Sequence, residues 1–342
     1  MHRRSDPQPP TTSTSGAPRR LWRWTKRVFI GLAGLVLVLV LAGMVFQFVA
    51  TKIDEYRYPA PGQMVDVGGY SLHLHCTGEG GAPTVVMDSG AGGNVMVWQL
   101  VQPEVAGFAR VCTYDRGGMG WSEPGAQPRT SQQIVKELHT LLGNAGVQGP
   151  YVLVGHSFGG LNMQLYASQY PDEVKGMVLV DSAIADLDML RPILSSVPSP
   201  VLMKIYATIG VTRLPYTLQG ETDELTAIST HAKDNYENAD NASSLQESYN
   251  EVRAAPMSLG DKPLVVLSAG SRGEMFPVFS QEESDQFNEA WTKSQGDLTQ
   301  ASQNSEQIIA EESGHGIHGD QPDLVIDAIR DVVEAARNGT SV

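Results

Sequence analysis

From residue 63 onward, short apolar runs alternate with longer segments whose apolar side chains recur every three or four positions. Such runs predict buried strands, and the longer period predicts amphipathic helices. Met64–Val67 and Tyr70–Cys76 form an expected hairpin turned at Gly68-Gly69. Further strands are expected at Pro83–Met87, Arg110–Tyr114, Tyr151–Val154, Val174–Asp181, Lys262–Leu267 and Glu306–Ala310. Helical spacing marks Val97–Phe108, Thr130–Ala145, Leu161–Tyr170, Glu282–Lys293 and Asp323–Ala336. In Thr130–Ala145 the side chains of Ile134, Val135, Leu138, Leu141 and Leu142 share one face. This alternation predicts an α/β fold: a mostly parallel twisted sheet with helices on both faces. Ligands of such sheets bind beyond the carboxyl ends of the strands.

Residues 183–260 interrupt the rhythm. Their patterns, at Leu187–Leu194, Val201–Ile209, Glu221–Tyr236 and Ala242–Arg253, are all helical. They predict a helical cap between two parts of an α/β core, 63–182 and 261–342. The apolar side chains of the cap's first half (Leu190, Ile193, Leu194, Leu202, Met203, Ile205 and Ile209) are expected to form mostly its own core. An acyl pocket is the alternative for some of them.

Another apolar run obeys neither period. Val28–Ala50 has no charged residue, and about 20 such residues suffice for a membrane-spanning helix. Cleavage as a signal peptide is the competing expectation. The run is longer than such a segment's apolar region, and Phe48-Val49-Ala50 lacks the outer small residue of a cleavage site. Residues 1–27 form a basic tail rich in Pro, Ser and Thr, a composition expected to stay disordered. The crowding of Arg19, Arg20, Arg23, Lys26 and Arg27 before the span predicts a cytoplasmic N-terminus and an extracytoplasmic body. Residues 51–62, with Pro59 and Pro61, are expected to be a linker.

The formal net charge is −14. Because the tail is basic, the body carries more than that whole excess, which argues against nucleic acid as a partner. No G-x-G-x-x-G or GK[ST] string supports nucleotide binding, and no histidine spacing suggests a metal. No cofactor is expected.

The candidate chemistry centres on Tyr151–Gly160, YVLVGHSFGG. A strand, a turn flanked by glycines and a helix are what a G-x-S-x-G nucleophile elbow requires, with Ser157 at its apex. A serine needs a neighbouring base to take its proton. His231, His315 and His318 are the histidines that follow Ser157.

The order of turns SGAGG, DRGGMGWS, GHSFGG, VLVD and SGH resembles the α/β-hydrolase superfamily over roughly residues 63–336. It is similar in particular to membrane-anchored bacterial serine hydrolases. The resemblance implies an α/β-hydrolase fold and a serine hydrolase of esterase or lipase type. It assigns Ser157 as nucleophile and His315 as base, with His318 second. It also assigns the backbone N–H groups of Ala91 and Phe158 as the oxyanion hole. Ser89 stands where related chains often carry histidine. The acid stays open. Asp181 is the first choice, Glu274 the second and Asp186 a further alternative; the usual position, in Ser268–Met275, holds no aspartate.

The expected substrate is a small-molecule or lipid acyl ester, cleaved through an acyl-enzyme. An inactive hydrolase fold serving as a binding or scaffold protein is the other function class. Cys76 and Cys112 fall on strands that neighbour each other in such a fold, and an extracytoplasmic body would allow them to bridge. Two free buried thiols are the alternative.

Overall fold

A computed structural model describes residues 17–184, 199–220, 223–270 and 280–342. The expected cap helix Leu187–Leu194, with Leu190, Ile193 and Leu194, and the alternative acids Asp186 and Glu274 lie outside the described residues. Most of the basic tail does too.

The core is an eight-stranded sheet in the order β1-β2-β4-β3-β5-β6-β7-β8. Its strands are β1 (Gln63–Asp66), β2 (Ser71–Thr77), β3 (Thr84–Asp88), β4 (Val111–Tyr114), β5 (Tyr151–His156), β6 (Val174–Val180), β7 (Leu264–Ala269) and β8 (Ser305–Ala310). β1 and β2 pair antiparallel, as do β2 and β4. All later neighbours are parallel. This is the expected α/β-hydrolase architecture.

The central strands are apolar on both faces because both are covered. Leu153 of β5 packs with α3 (Ser131–Asn144) and α4 (Phe158–Gln169), while Val152 and Val154 face the C-terminal helix Pro322–Asn338 on the other side. Thr130 caps α3 by accepting from Gln133 N–H. Cys76 and Cys112 lie directly opposite each other on β2 and β4, and a disulfide joins them.

Several expected helices differ. Val97–Phe108 is not continuous. A 3-10 turn, Val95–Trp98, precedes the short α2 (Gln102–Val105). Pro103 has no N–H to give a preceding turn, so it is confined to the start of a new helix. Glu221–Tyr236 breaks at Thr230–His231 into α7 (Glu224–Ser229) and the start of α8 (Ala232–Ala254). His231 is extended there, at φ −60° and ψ 146°. The expected Ala242–Arg253 is only the later part of α8.

Val201–Ile209 is α5 (Pro200–Thr208), followed by α6 (Leu214–Gln219). The expectation that its apolar side chains form the cap's own core fails for Leu202 and Ile205, while Met203 and Ile209 are half-buried. Leu202 and Ile205 are exposed, and Ala207 alone is buried within α5. At the N-terminus one helix, α1, runs through Ala17–Arg57 and enters the expected linker before Pro59 and Pro61 halt it. From Leu21 it is long and apolar enough to cross a membrane, and none of its most apolar window is buried.

Candidate active site

Ser157 joins β5 to α4 at φ 52° and ψ −122°. That region is costly for a residue with a Cβ, and strain of this kind persists where the surroundings over-determine it. Here the turn is clamped from both sides. Ser157 N–H donates to Val180 O at 3.2 Å, and Ser157 O accepts from Ala183 N–H at 2.9 Å. The two flanking glycines are required by close approach. A Cβ at Gly155 would collide with the Gly160 backbone, and one at Gly159 with the carbonyls of Asp88 and Ser89.

Asp181 is the next residue after β6 and the other non-glycine with positive φ, at 40°, among the described residues. It is fully buried. Its Oδ1 accepts from Ala269 N–H at 3.0 Å and from Trp291 Nε1–H at 3.2 Å. Its Oδ2 lies 2.7 Å from Nδ1 of His315, in the loop after β8. A carboxylate can only accept, so Nδ1 of His315 carries a proton, and in the neutral ring the lone pair is left on Nε2. β6 and β7 are neighbours, and β8 lies beyond β7, which is how residues 134 positions apart come into contact.

His318 makes no such pair. Its ring packs on Trp98 at 5.1 Å and on His156 at 4.5 Å, and burial pushes its pKa down to about 4. His156, beside the serine, donates from Nε2 to the carbonyl of His315 at 2.9 Å. Burial, reinforced by His315 and His318, holds it well below the ordinary histidine range. It therefore serves as a neutral strut under the His315 loop. His231 lies in the cap between α7 and α8.

The turn after β3 adjoins this serine. A Cβ at Gly90 would fall 2.8 Å from His156 Nδ1 and 3.3 Å from Ser157 Cβ. Arg116, buried under the turn, donates to the carbonyls of Ser89 and Gly90, both at 2.6 Å. A trans peptide points its N–H opposite its C=O. The grip of Arg116 on Gly90 O therefore turns Ala91 N–H away from the guanidinium. Phe158 is the first residue of α4, so its N–H has no acceptor within the helix. Arg116 also donates to Asp88 Oδ1 at 2.6 Å, and Asp88 Oδ2 accepts from Asn162 of α4 at 2.9 Å. This chain of bonds ties the turn to the helix that carries the serine.

Arg116, Asp88, Asn162, His156 and Trp291 are the residues that sequence patterns alone do not single out. Arg116 stands inside DRGGMGWS, where three glycines mark the turn and nothing local marks the cation.

A family model described as the alpha/beta hydrolase fold matches residues 83–205. The Bacillus subtilis protein YqjL is 29% identical over 272 residues, covering 79% of this chain and 91% of that protein. Lipase LipV of Mycobacterium tuberculosis is 36% identical over 117 residues, which span 33% of this chain and 42% of the lipase. Among solved structures, a thermophilic esterase from Thermogutta terrifontis superposes with a TM-score of 0.56 at 18% identity. It covers 80% of this chain and 98% of its own.

Proposed function

From the α/β-hydrolase fold of this chain, we propose a membrane-anchored serine hydrolase that cleaves ester or related acyl bonds. The observation that carries this is the 2.7 Å contact between His315 Nδ1 and the buried Asp181 carboxylate, beside a serine held on a strained elbow. In the proposed reaction His315 Nε2 takes the Ser157 hydroxyl proton as Oγ attacks the acyl carbonyl. The oxyanion is met by the N–H groups of Phe158 and Ala91. His315 then protonates the leaving alcohol, the acyl–oxygen bond breaks, and an acyl-serine remains. Water, deprotonated by the same imidazole, releases the acid. Asp181 orients the ring and stabilises its cationic form. Likeness to a lipase supports the reaction class.

Within α1, the stretch 28–50 is the proposed span. The basic residues before it favour a cytoplasmic N-terminus, and the Cys76–Cys112 bridge agrees with a body in an oxidising compartment. The proposed substrate is a small-molecule or lipid acyl ester.

A fluorophosphonate probe tests the chemistry. Folded protein is expected to be labelled on Ser157, and Ser157→Ala to be silent. A folded wild-type chain that takes no label would overturn the proposal in favour of a binding or scaffold role.

A further inference from the structure

The anchor helix meets the body while still inside its uncharged run. A Cβ at Gly43 would fall 2.5 Å from the carbonyl of Ile209, and one at Gly210 would fall 3.1 Å from the Phe46 ring. Both anchor residues belong to the uncharged run 28–50. Counting from Val28, the 20 residues that cross about 30 Å of hydrocarbon end at Gln47. Gly43 then lies about 6 Å deeper. The Ile209–Gly210 apex of the cap touches α1 at that depth.

Polarity along this contact changes at the same level. Below Gln47 the cap meets α1 through backbone and an aromatic ring. At Gln47 the amide is buried, donating to Thr230 O at 2.9 Å and accepting from Arg213 at 3.3 Å. Above it, Asp54 accepts from Arg213 at 2.6 Å, with His231 3.5 Å away. Apolar contact on one side and paired polar groups on the other is the sequence of environments across a membrane interface.

The helices that flank the apex expose apolar side chains. Val201 and Ile205 of α5, Val211 in the connection, and Leu214, Tyr216 and Leu218 of α6 are all exposed, with Leu218 at 78% and Val201 at 69%. A grouping of this kind marks an interaction surface.

We propose that α5, α6 and their connection are immersed in the outer leaflet of the membrane that α1 spans, with lipid acyl chains covering this face. The proposal rests on the anchor assigned above. The occupant follows from continuity: α1 brings hydrocarbon to the apex that joins the two helices. A cavity of about 530 Å³ borders α6 and α7, lined by Thr212, Tyr216, Leu225, Ser229 and Thr230 among others. Ser229 accepts a bond from Asn94 at 3.2 Å, three residues beyond Ala91. An immersed α6 sets the rim of this cavity at lipid depth, close to the proposed oxyanion turn.

The test uses the full chain in phosphatidylcholine vesicles with nitroxide-labelled acyl chains. A fluorophore is attached through Leu218→Cys or Val201→Cys in the cap, Leu35→Cys in the span, or Gln148→Cys before β5. If the proposal holds, Leu35 and both cap labels lose most of their emission while the Gln148 label keeps its own. Quenching at Leu35 with cap labels behaving like Gln148 overturns immersion and leaves the anchor standing. An unquenched Leu35 label overturns the anchor and the immersed cap together.

Discussion

At the strand ends Asp181 is fully buried and accepts N–H bonds from the Ala269 backbone, the Trp291 indole and His315. Under the cap, Asp54, Asp234 and Glu237 are buried as well, but their partners differ. Glu237 meets Arg129, which also holds Glu137 at 2.6 Å. Asp54 meets Arg213, and Asp234 accepts from Gly120 N–H at 2.8 Å. At the strand ends a strand N–H and two ring donors, one on the helix Gln281–Leu298 and one in the loop after β8, hold the carboxylate. Beneath the cap, flexible cations do most of that work. The first arrangement sets direction to within a hydrogen bond, as catalysis requires. The second holds two parts of the chain together, and its strength depends on protonation.

The sharpest way to break the contrast is Asp181→Asn. The asparagine Oδ1 can still accept from Ala269 and Trp291, so the melting temperature is expected to change little. Its Nδ2 would meet His315 Nδ1 donor to donor and force the wrong tautomer. A fall in kcat of about 10⁴-fold is expected on a soluble acyl ester. Near-normal turnover would remove Asp181 from the mechanism and direct attention to Glu274.

Arg129→Met should do the reverse. It leaves Glu137 and Glu237 buried without their cation, at a cost of about 3–5 kcal/mol. A lower urea midpoint is expected. The fluorophosphonate labelling rate of Ser157 in protein that remains folded should stay within a few-fold of wild type. A labelling rate that fell with stability would mean that the cap's ionic joints also set the catalytic geometry.

The same contrast explains what the sequence revealed. Strands such as VVM and VLVGH, and α3 with its single apolar face, announce themselves because burial there follows a period. α8 does not. It buries Asp234, Glu237, Asn241, Ser244 and Ser248 beside Ala239, Tyr249 and Val252, so its inward face is largely polar and hydrophobic periodicity finds its two ends as separate helices and misses their continuity. Ser157 and the loop of His315 are visible because glycine turns leave a mark in one stretch of chain. The acid leaves none. Asp181 and Ser268–Met275 follow neighbouring strands, β6 and β7, and only the spatial contact with His315 separates Asp181 from other carboxylates. Arg116 acts through carbonyls 26 and 27 residues away, a relation no local pattern contains.

The smallest expected effect is on pH dependence, and it reads the cap's protonation directly. His231 is pushed down to about 4, chiefly by burial and then by Lys233 and Arg213, with Asp54 opposing. Between about 6.5 and 4 the unfolded chain therefore binds a proton at this site that the folded chain refuses, so stability falls as pH drops through that window. Glu237 works in the other sense. Burial outweighs Arg129 and raises it to about 7. From about 4.5 to 7 the folded chain holds the extra proton there, and this contribution is lost as pH rises. His231→Gln removes the first effect and keeps the second. Melting curves from pH 7 down to pH 4 should show wild type losing on the order of 3 kcal/mol more than the variant. Parallel curves would mean that protonated His231 is accommodated beside Asp54. The joint between anchor and cap would then be indifferent to acid.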